Sequence, residues 1–289
     1  MEKLSVPSGL VKPPWLKVKA CGNGKYLEVQ SILKKYKLNT VCQEANCPNR
    51  GDCFSRGTAT FLIMGPNCTR HCQFCNVTHG DIASLDENEP AHIARAVELL
   101  GLRHAVITSV TRDDLADGGA LQFAKVVAAI RASRENITIE ILTPDFMGCH
   151  KDLNVVLNTN PDIFNHNVET VPRLYAMVRP QANYHRSLDI LKMAAETGRM
   201  AVKSGLMVGL GESIAELEQV FQDIQRAGVE YLTIGQYLAP SKNHHPVIKY
   251  YHPEEFKHLA AAAENCGIKS VFSAPLVRSS YHAQEQFQS

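Results

Sequence analysis

Cys68-Thr69-Arg70-His71-Cys72-Gln73-Phe74-Cys75 is the stretch whose reading decides the rest of this chain. Its three cysteines stand at C-x3-C-x2-C spacing, directly after a β-like run, Thr58-Ala59-Thr60-Phe61-Leu62-Ile63-Met64. A loop of this length can wrap one corner of an iron–sulfur cubane and ligate three of its irons. Electron-transfer clusters are closed by four cysteines; this loop supplies three, so one iron stays open to a further ligand. The rival reading is a zinc knuckle. Structural zinc is tetrahedral and closed by four ligands, and His71 could be the fourth only by a strained reach from inside the loop, beside Cys72.

Upstream, Cys42-Gln43-Glu44-Ala45-Asn46-Cys47-Pro48-Asn49-Arg50-Gly51-Asp52-Cys53 carries a second triplet at C-x4-C-x5-C, again with no obvious local fourth thiol. Pro48 and Gly51 break regular structure, as a loop folded round a cofactor requires. Alone, this triplet also suits a small zinc site; two three-cysteine loops separated by one strand are far more specific. Six of the nine cysteines fall between Cys42 and Cys75. The N-terminus, Met1-Glu2-Lys3-Leu4-Ser5-Val6-Pro7, has neither the apolar run of a secretory signal nor the Arg- and Ser-rich character of a transit peptide. Clustered thiols without an export signal point to metal rather than disulfides, and to a reducing compartment, the cytoplasm.

The chain has 289 residues, 45% of them apolar, enough to bury one large core as a barrel or two smaller ones. Lys plus Arg number 30 against 29 acidic residues, a net charge of +1, which gives no sign of nucleic acid or an anionic membrane as partner. Lys12, Lys17, Lys19 and Lys25 form a mild basic spot near the start. No uncharged apolar run reaches the roughly 18 residues of a membrane span.

Residues 1–57 read as an N-terminal arm and cysteine loop. Pro13-Pro14 keeps its first part extended, Trp15 anchors it to the body, and Leu27, Ile32 and Leu33 suggest a helix from Tyr26 to Lys37. From residue 58 strands alternate with helices. The strands are 58–64, His104–Ser109, Ile137–Leu142, Asp162–Asn165, Ala201–Met207 and Tyr231–Gln236. Helical faces are carried by Ile93, Val97 and Leu100; Phe123, Val127 and Ile130; and Leu188, Leu191 and Ala195. Ser213-x-x-Glu216 is a capping box before Leu217, Val220, Phe221 and Ile224, and Pro253 opens a last helix with Phe256, Leu259 and Ala263. Repeated βα units mean parallel strands with helices outside. Six units, over 58–273, are fewer than the eight of a closed barrel, so the fold class is α/β, a partial (β/α)6 barrel with an N-terminal extension and a C-terminal tail, 274–289. Ligands in such folds sit at the carboxyl ends of the strands.

These residues carry a resemblance. C-x3-C-x2-C with an aromatic, Phe74, before its last cysteine resembles the radical S-adenosylmethionine (SAM) superfamily. The further combination resembles its lipoyl synthase family. It comprises the upstream triplet, Arg56-Gly57-Thr58-Ala59-Thr60-Phe61, Thr108-Ser109-Val110-Thr111-Arg112-Asp113-Asp114-Leu115, Asn165-His166-Asn167-Val168-Glu169 and Arg278-Ser279-Ser280-Tyr281. The matches run from about Lys12 to His282. The resemblance implies that Cys68, Cys72 and Cys75 hold a [4Fe–4S] cluster whose open iron is chelated by SAM. One-electron reduction then cleaves SAM to methionine and a 5′-deoxyadenosyl radical. It implies a second [4Fe–4S] cluster on Cys42, Cys47 and Cys53, completed by a serine of the terminal motif, here taken as Ser280 rather than Ser279. A serine oxygen holds such iron more weakly than a thiolate, which suits a cluster dismantled as sulfur donor. The implied reaction inserts sulfur at C6 and C8 of an octanoyl group on a carrier-protein lysine, with two SAM consumed per lipoyl group.

The implied carriers are the lipoyl domains of 2-oxoacid dehydrogenase acyltransferases and the glycine cleavage H protein, with a ferredoxin- or flavodoxin-type electron donor. Gly118 and Gly119, after Asp117, resemble the glycine pair whose carbonyls receive the SAM ammonium, although the usual acidic residue after it is Ala120 here. Gly209, in Gly205–Glu212, resembles the glycine-rich strand end beside adenine; a tight turn before Ser213 explains it about as well. Asn165, Asn167 and Glu169 could hold ribose or the SAM carboxylate and amine, or simply cap their loop. Another radical SAM catalyst, such as a methylthiotransferase or a biotin-synthase-like protein, and a zinc-stabilised interaction protein remain as alternatives. Cys21, Cys149 and Cys266 read as incidental thiols, His244-His245 as a loop surface, and Lys34-Lys35 as a solvated helix face.

Overall fold

Apolar runs too short for helices, bounded by Gly and Pro, fold as strands, and the longer amphipathic runs between them fold as helices. The computed structural model describes residues 10–18 and 22–288 of the chain. In chain order its first elements are α1 (Gly24–Lys35), β1 (Asn39–Thr40), α2 (Val41–Glu44), α3 (Arg50–Ser55), β2 (Thr60–Ile63), β3 (Asn67–Cys68) and β4 (Thr78–His79). Then come α4 (Glu89–Leu99), β5 (His104–Ser109), α5 (Ala120–Ser133), β6 (Thr138–Leu142), α6 (His150–Leu157) and β7 (Ile163–Asn165). The remainder is α7 (Tyr175–Val178), α8 (Tyr184–Glu196), β8 (Ala201–Val208), α9 (Ile214–Arg226), β9 (Tyr231–Gln236), α10 (Pro253–Asn265), β10 (Ser270–Ser273) and α11 (Ala283–Gln288). All six expected strands are present. The chain divides into two compact units. One holds residues 22–70, 76–165 and 280–288; the other holds 10–18, 71–75 and 166–279.

In the β1–β7 unit, β2, β5, β6 and β7 run parallel, with Phe61 beside Ile107, Ile107 beside Ile141, and Ile141 beside Phe164. These four side chains are buried, as a parallel strand covered on both faces requires. The short β1 was not foreseen and pairs antiparallel, Asn39 opposite Leu62. Helices α4 and α5 bury the expected Ile93, Val97, Leu100, Phe123, Val127 and Ile130. Helix α1 starts two residues before the expected Tyr26, at a cap where the Asn23 side chain accepts the Tyr26 N–H. Its buried face is Val29 and Leu33, whereas Leu27, expected to be inside, is 64% exposed. Lys34 and Lys35 are exposed, as expected.

In the β8–β10 unit, β8 and β10 lie parallel to β9 on either side, with Leu206 and Ser273 both registered on Ile234. The strand β10 was not foreseen. Helix α8 turns Tyr184, Ser187, Ile190, Leu191 and Ala194 inward; of the expected face only Leu191 is buried, and Leu188 and Ala195 lie at its edge. Helix α10 has Pro253 in its first turn and buries Phe256, Leu259 and Ala263. Trp15 docks the arm: its Nε1 donates to the Tyr251 carbonyl at 3.2 Å, and its ring meets His252 edge-on at 5.0 Å. Pro13 is extended, while Pro14–Leu16 closes a single 3-10 turn that buries Leu16.

The capping box of α9 is complete. Ser213 Oγ accepts the Glu216 N–H at 3.3 Å, and Glu216 Oε2 accepts the Ser213 N–H at 2.8 Å. Arg173 adds a fork, Nε to Oε1 at 2.7 Å and Nη2 to Oε2 at 3.0 Å. The Arg173 bonds, with those from Ser213, hold the Glu216 carboxyl down at about 2. A folded-state value below the unfolded one adds stability above the ordinary carboxylate range, and that stability is lost as pH falls through about 2. Glu216→Gln should therefore melt below the wild type at neutral pH, with the gap in melting temperature closing between about pH 5 and pH 2. A gap independent of pH in thermal melts would show that the ion pair is not its source.

Candidate metal and cofactor site

Cysteine spacing in the first triplet is set by two short helices of the β1–β7 unit. Thr40 caps α2, its Oγ1 accepting the Gln43 N–H at 3.3 Å, which places Cys42 in the first turn. Cys47 N–H donates to the Cys42 carbonyl at 3.1 Å, and Cys53 N–H in α3 donates to Asn49 at 2.9 Å. Burial, then the neighbouring Cys47, pushes the Cys42 thiol up to about 11; burial, then Cys42, Cys47 and Asp52, pushes Cys53 to about 12. Such a group of thiols ionises when a cationic metal centre is supplied. Among the described residues no three His, Cys, Asp or Glu side chains are grouped so as to hold a metal ion. A lone zinc draws its donors in to about 2.0–2.3 Å, whereas a cubane takes one thiolate per iron and leaves its ligands further apart. Three thiols are a soft donor set of the kind that iron–sulfur clusters take.

The C-terminal segment is fastened beside this loop. Tyr281 Oη donates to Asp52 Oδ2 at 3.2 Å, and His282 Nε2 lies 3.2 Å from the same oxygen. Arg56 Nη1 donates to Glu285 at 3.1 Å, His282 Nδ1 lies 2.8 Å from Glu285, and Gln286 Nε2 donates to the Tyr281 carbonyl. Asp52 is the residue before Cys53. Burial opposes its charge, but the bonds from His282 and Tyr281 and the charge of Arg56 outweigh it and hold its carboxyl low. Burial, then Asp52, pushes Tyr281 up to about 12. Ser280, half-buried, is the residue before this anchor.

At the strand ends of the same unit, Cys68 closes β3 and Asn165 closes β7. Gly118 and Gly119 have φ of 58° and 87°, left-handed values that favour glycine. A Cβ on Gly118 would press on Phe146 at 3.2 Å, and one on Gly119 would overlap the Met64 side chain. Asp117 takes the Gly119 and Leu121 N–H groups, both at 2.9 Å, and the Gly119 carbonyl accepts the Gln122 and Phe123 N–H groups at 3.1 and 3.2 Å. Ser109 Oγ and Asn165 Oδ1 are buried with no partner among the described residues, which marks the ends of β5 and β7 as able to receive a polar ligand. The other end of the Asn165 amide donates to Glu140 at 3.0 Å. The Arg70 guanidinium sits on Asp113 and Asp145; burial opposes its charge, and the two carboxylates more than restore it.

Cys72, Phe74 and Cys75 belong to the β8–β10 unit and are half-buried. Gln73 N–H donates to Val178 O at 2.8 Å, His245 N–H donates to Gln73 O at 2.8 Å, and Gln181 accepts the His71 N–H at 2.7 Å. The His244-His245 pair is therefore not the loop surface expected from sequence. His245 is buried with Nε2 2.8 Å from Leu210 O, and His244 Nε2 lies 3.1 Å from the Cys75 carbonyl. Their adjacency to Pro246 hid this, because both partners are distant in sequence.

Asn167 and Glu169 lie together, Asn167 Nδ2 donating to Glu169 Oε1 at 3.1 Å. Glu169 has a φ of 70° and bridges to Leu206. Burial pushes its carboxyl up, against the charges of Arg179 and Arg278. Ser279 Oγ donates to Asn167 Oδ1 at 2.9 Å. Gly209 serves a turn: its N–H donates to Glu212 at 2.6 Å, its carbonyl accepts Ile248 N–H at 2.8 Å, and a Cβ there would overlap Gln236 and Lys249. The contacts that sequence reasoning missed are those of Asp52, Asp145, Arg70 and the two histidines. Only Arg70, a cation inside a cysteine loop, carried a local signal.

A family model of the radical SAM superfamily matches residues 62–224. Among curated proteins, the lipoyl synthase of Alkaliphilus metalliredigens (strain QYMF) is 52% identical over 276 residues, 95% of this chain and 95% of that one. Among solved structures, Streptococcus suis SuiB bound to S-adenosylmethionine superposes with a TM-score of 0.56 at 11% identity, over 75% of this chain and 51% of that one. HydG, a maturase of the [FeFe]-hydrogenase, gives 0.57 at 14% identity over 85% and 65%. The chain thus spans about half of SuiB and just under two thirds of HydG. At such identities these likenesses show the fold, which is α/β and of the radical SAM partial-barrel type expected from the alternation of strands and helices.

Gly205 packs against the Asn167–Ser279 pair: a Cβ there would lie 2.7 Å from Asn167 Oδ1 and from Ser279 Oγ, and 2.9 Å from Thr233 Oγ1. Gly205→Ala should break the pair and cost about 1–3 kcal/mol by overpacking. Urea melts measure it, and an unchanged midpoint would show that the pocket yields.

Proposed function

This chain belongs to the lipoyl synthase family of the radical SAM superfamily, and from that premise we propose how its residues divide the work of radical SAM sulfur insertion in lipoyl formation. The family implies SAM and a [4Fe–4S] cluster, and an octanoylated carrier protein as substrate. Cys68, Cys72 and Cys75 hold that cluster, with Phe74 packed beside its last ligand. Cys42, Cys47, Cys53 and Ser280 hold a second [4Fe–4S] cluster, the co-substrate that gives up sulfur to C6 and C8 of an N6-octanoyllysine. When bound, the first cluster and SAM supply a carbon radical able to take hydrogen from an unactivated C–H bond, two SAM being consumed per lipoyl group.

The chain's own residues orient and exclude. The Gly118–Gly119 turn takes the SAM amine on backbone oxygen, Gly118 above all because the Gly119 carbonyl already accepts two N–H groups of α5; the contact needs no side chain and so tolerates Ala120 as the next residue. Asn165, with its unpartnered Oδ1, and the Asn167–Glu169 pair offer acceptors to the ribose and amino-acid groups. Gly209 lets the strand end approach the adenine while its own N–H and carbonyl stay bonded. The segment roles follow: 1–57 the arm and second-cluster loop, 58–273 the barrel, 274–289 the closing tail.

One observation carries the reading of the second cluster. Tyr281 and His282 are bonded to Asp52, next to Cys53, so the tail brings Ser280 to the triplet that lacks a fourth ligand. The carriers are lipoyl domains of 2-oxoacid dehydrogenase acyltransferases and the glycine cleavage H protein, and a ferredoxin- or flavodoxin-type protein gives the electrons. The compartment is the cytoplasm, a reducing place that keeps clustered thiols available to metal; Cys149 and Cys266 stand outside both triplets, Cys21 lies outside the described residues, and no described helix is long and apolar enough to cross a membrane.

Anaerobic reconstitution should load about eight irons and eight sulfides per chain, as two four-iron cubanes require. Mass spectrometry of an octanoyl-lysine peptide, after incubation with SAM and reductant, should show two added sulfurs. Cys42→Ala should abolish that mass gain while 5′-deoxyadenosine still forms. A variant that keeps making lipoyl product would refute the donor role, and an as-purified protein with stoichiometric zinc and no iron would refute both clusters.

A further inference from the structure

The segment Thr108–Leu115, which the roles above leave unused, meets the cysteine loop through its backbone and through one buried cation. Thr69 N–H donates to Thr111 O at 3.0 Å, Thr69 Oγ1 donates to the same oxygen at 2.9 Å, and Asp113 N–H donates back to Thr69 Oγ1 at 3.1 Å. Next along, the Arg70 side chain is only 4% exposed. Its Nε and Nη2 fork onto Asp113 at 2.6 and 2.9 Å, and Nη2 also reaches Asp145 Oδ1 at 2.6 Å and Met147 Sδ at 3.1 Å. Asp113 follows β5 and Asp145 follows β6, so one guanidinium ties two strand-end loops to the cysteine loop. The loop after Asp145 is strained to match: Phe146 and Met147 have φ of 43° and 53°, left-handed for two bulky residues.

The result is focused on one atom. Cys68 Sγ accepts the Thr111 N–H at 3.3 Å and the Arg70 N–H at 3.5 Å. We propose that Arg70 is a positioning residue for the reaction, clamped by Asp113 and Asp145 so that Cys68 Sγ is held under two backbone N–H donors that raise the reduction potential of the cluster it ligates. Hydrogen bonds to ligand sulfurs stabilise the more negative, reduced state, and cluster potentials respond to them. The inference rests on Cys68 being a cluster ligand, but its geometry is a property of the protein alone. Lysine at this position keeps the charge and loses the fork, so the two side chains are not equivalent here.

The test has two readouts. In the metal-free full-length chain, iodoacetamide alkylation of each cysteine is followed by peptide mass spectrometry, with Cys266, just after α10, as the internal standard. Arg70→Met should lower the Cys68 rate relative to Cys266 by about tenfold, because the two N–H donors that stabilise its thiolate are no longer held against it. Arg70→Lys should fall between. In the reconstituted protein, dithionite titration followed by electron paramagnetic resonance should give a more negative midpoint for the SAM-binding cluster in both variants. If Arg70→Met does not fold, the ordering of wild type and Arg70→Lys decides. An unchanged or raised Cys68 rate, or all cysteines shifting together, would overturn the proposal, as would an unshifted midpoint. Failure of the wild type to take up a cluster would sink the reading of Cys68 as ligand and leave the alkylation result to judge the clamp.

Discussion

Parallel strands cannot be joined by tight turns, so every strand-end loop in this protein is released from hairpin duty and is long enough to carry side chains of its own. The same freedom exposes backbone N–H and C=O groups that must find partners when they are buried. Here the partners are neighbouring loops. Thr69 bonds to Thr111 after β5, and Thr143 N–H bonds to Asn165 O at the end of β7. In the other unit Gln73 is held between Val178 and His245. Loop-to-loop closure of this kind adds to the short β3–β4 ladder that holds Cys68.

Charge is managed in the same way. Arg70 is 4% exposed and Asp145 is 1% exposed, so neither could be left alone without an uncompensated buried charge. Glu89, buried, accepts the Met64 N–H and the Gln122 amide, and burial still pushes its carboxyl above the usual range. Glu169 sits within the fields of Arg179 and Arg278 and is nonetheless raised by burial. A rigid, paired charge such as Arg70 on Asp145 is already oriented and needs no reorganisation when charge develops beside it.

Much of this was legible in the residues, because periodicity is a local signal. Six strands between Thr60 and Gln236 and the helix faces of α4, α5, α9 and α10 were readable, whereas the two-residue β3 and β4 were not. What was not readable lacks periodicity or depends on distant partners. Ser270-Val271-Phe272-Ser273 is half-buried throughout and shows no alternation, so β10 is specified by its register on β9 rather than by its own pattern. β1 is two residues long and exists only because Leu62 and Phe61 offer it an edge. Leu27 fell outside because the α1 cap sits at Asn23 and turns Val29 and Leu33 inward instead. Of the site, the cysteines and the strand-end polar residues were visible from spacing. The histidines packed beside the cysteine loop were not, since the carbonyls of Leu210 and Cys75 that lie against them leave no trace in side-chain identity.

The terminal Arg278-Ser279-Ser280-Tyr281 shows how far geometry can separate residues that sequence leaves equivalent. Sequence offers two adjacent hydroxyls with no ground for preferring either. In one unit Ser279 Oγ is committed to Asn167, which also holds Glu169, so freeing that hydroxyl would disturb a part-buried polar pair. In the other unit Tyr281 and His282 bind Asp52, and successive Cα atoms are about 3.8 Å apart, so Ser280 is confined to within one residue of that anchor. A ligand meant to let go should be weakly bonded itself yet precisely delivered by its neighbours. In the reading proposed above Ser280 would meet both conditions: a serine oxygen is a weaker donor to iron than a thiolate, and its neighbours Tyr281 and His282 are fastened to Asp52.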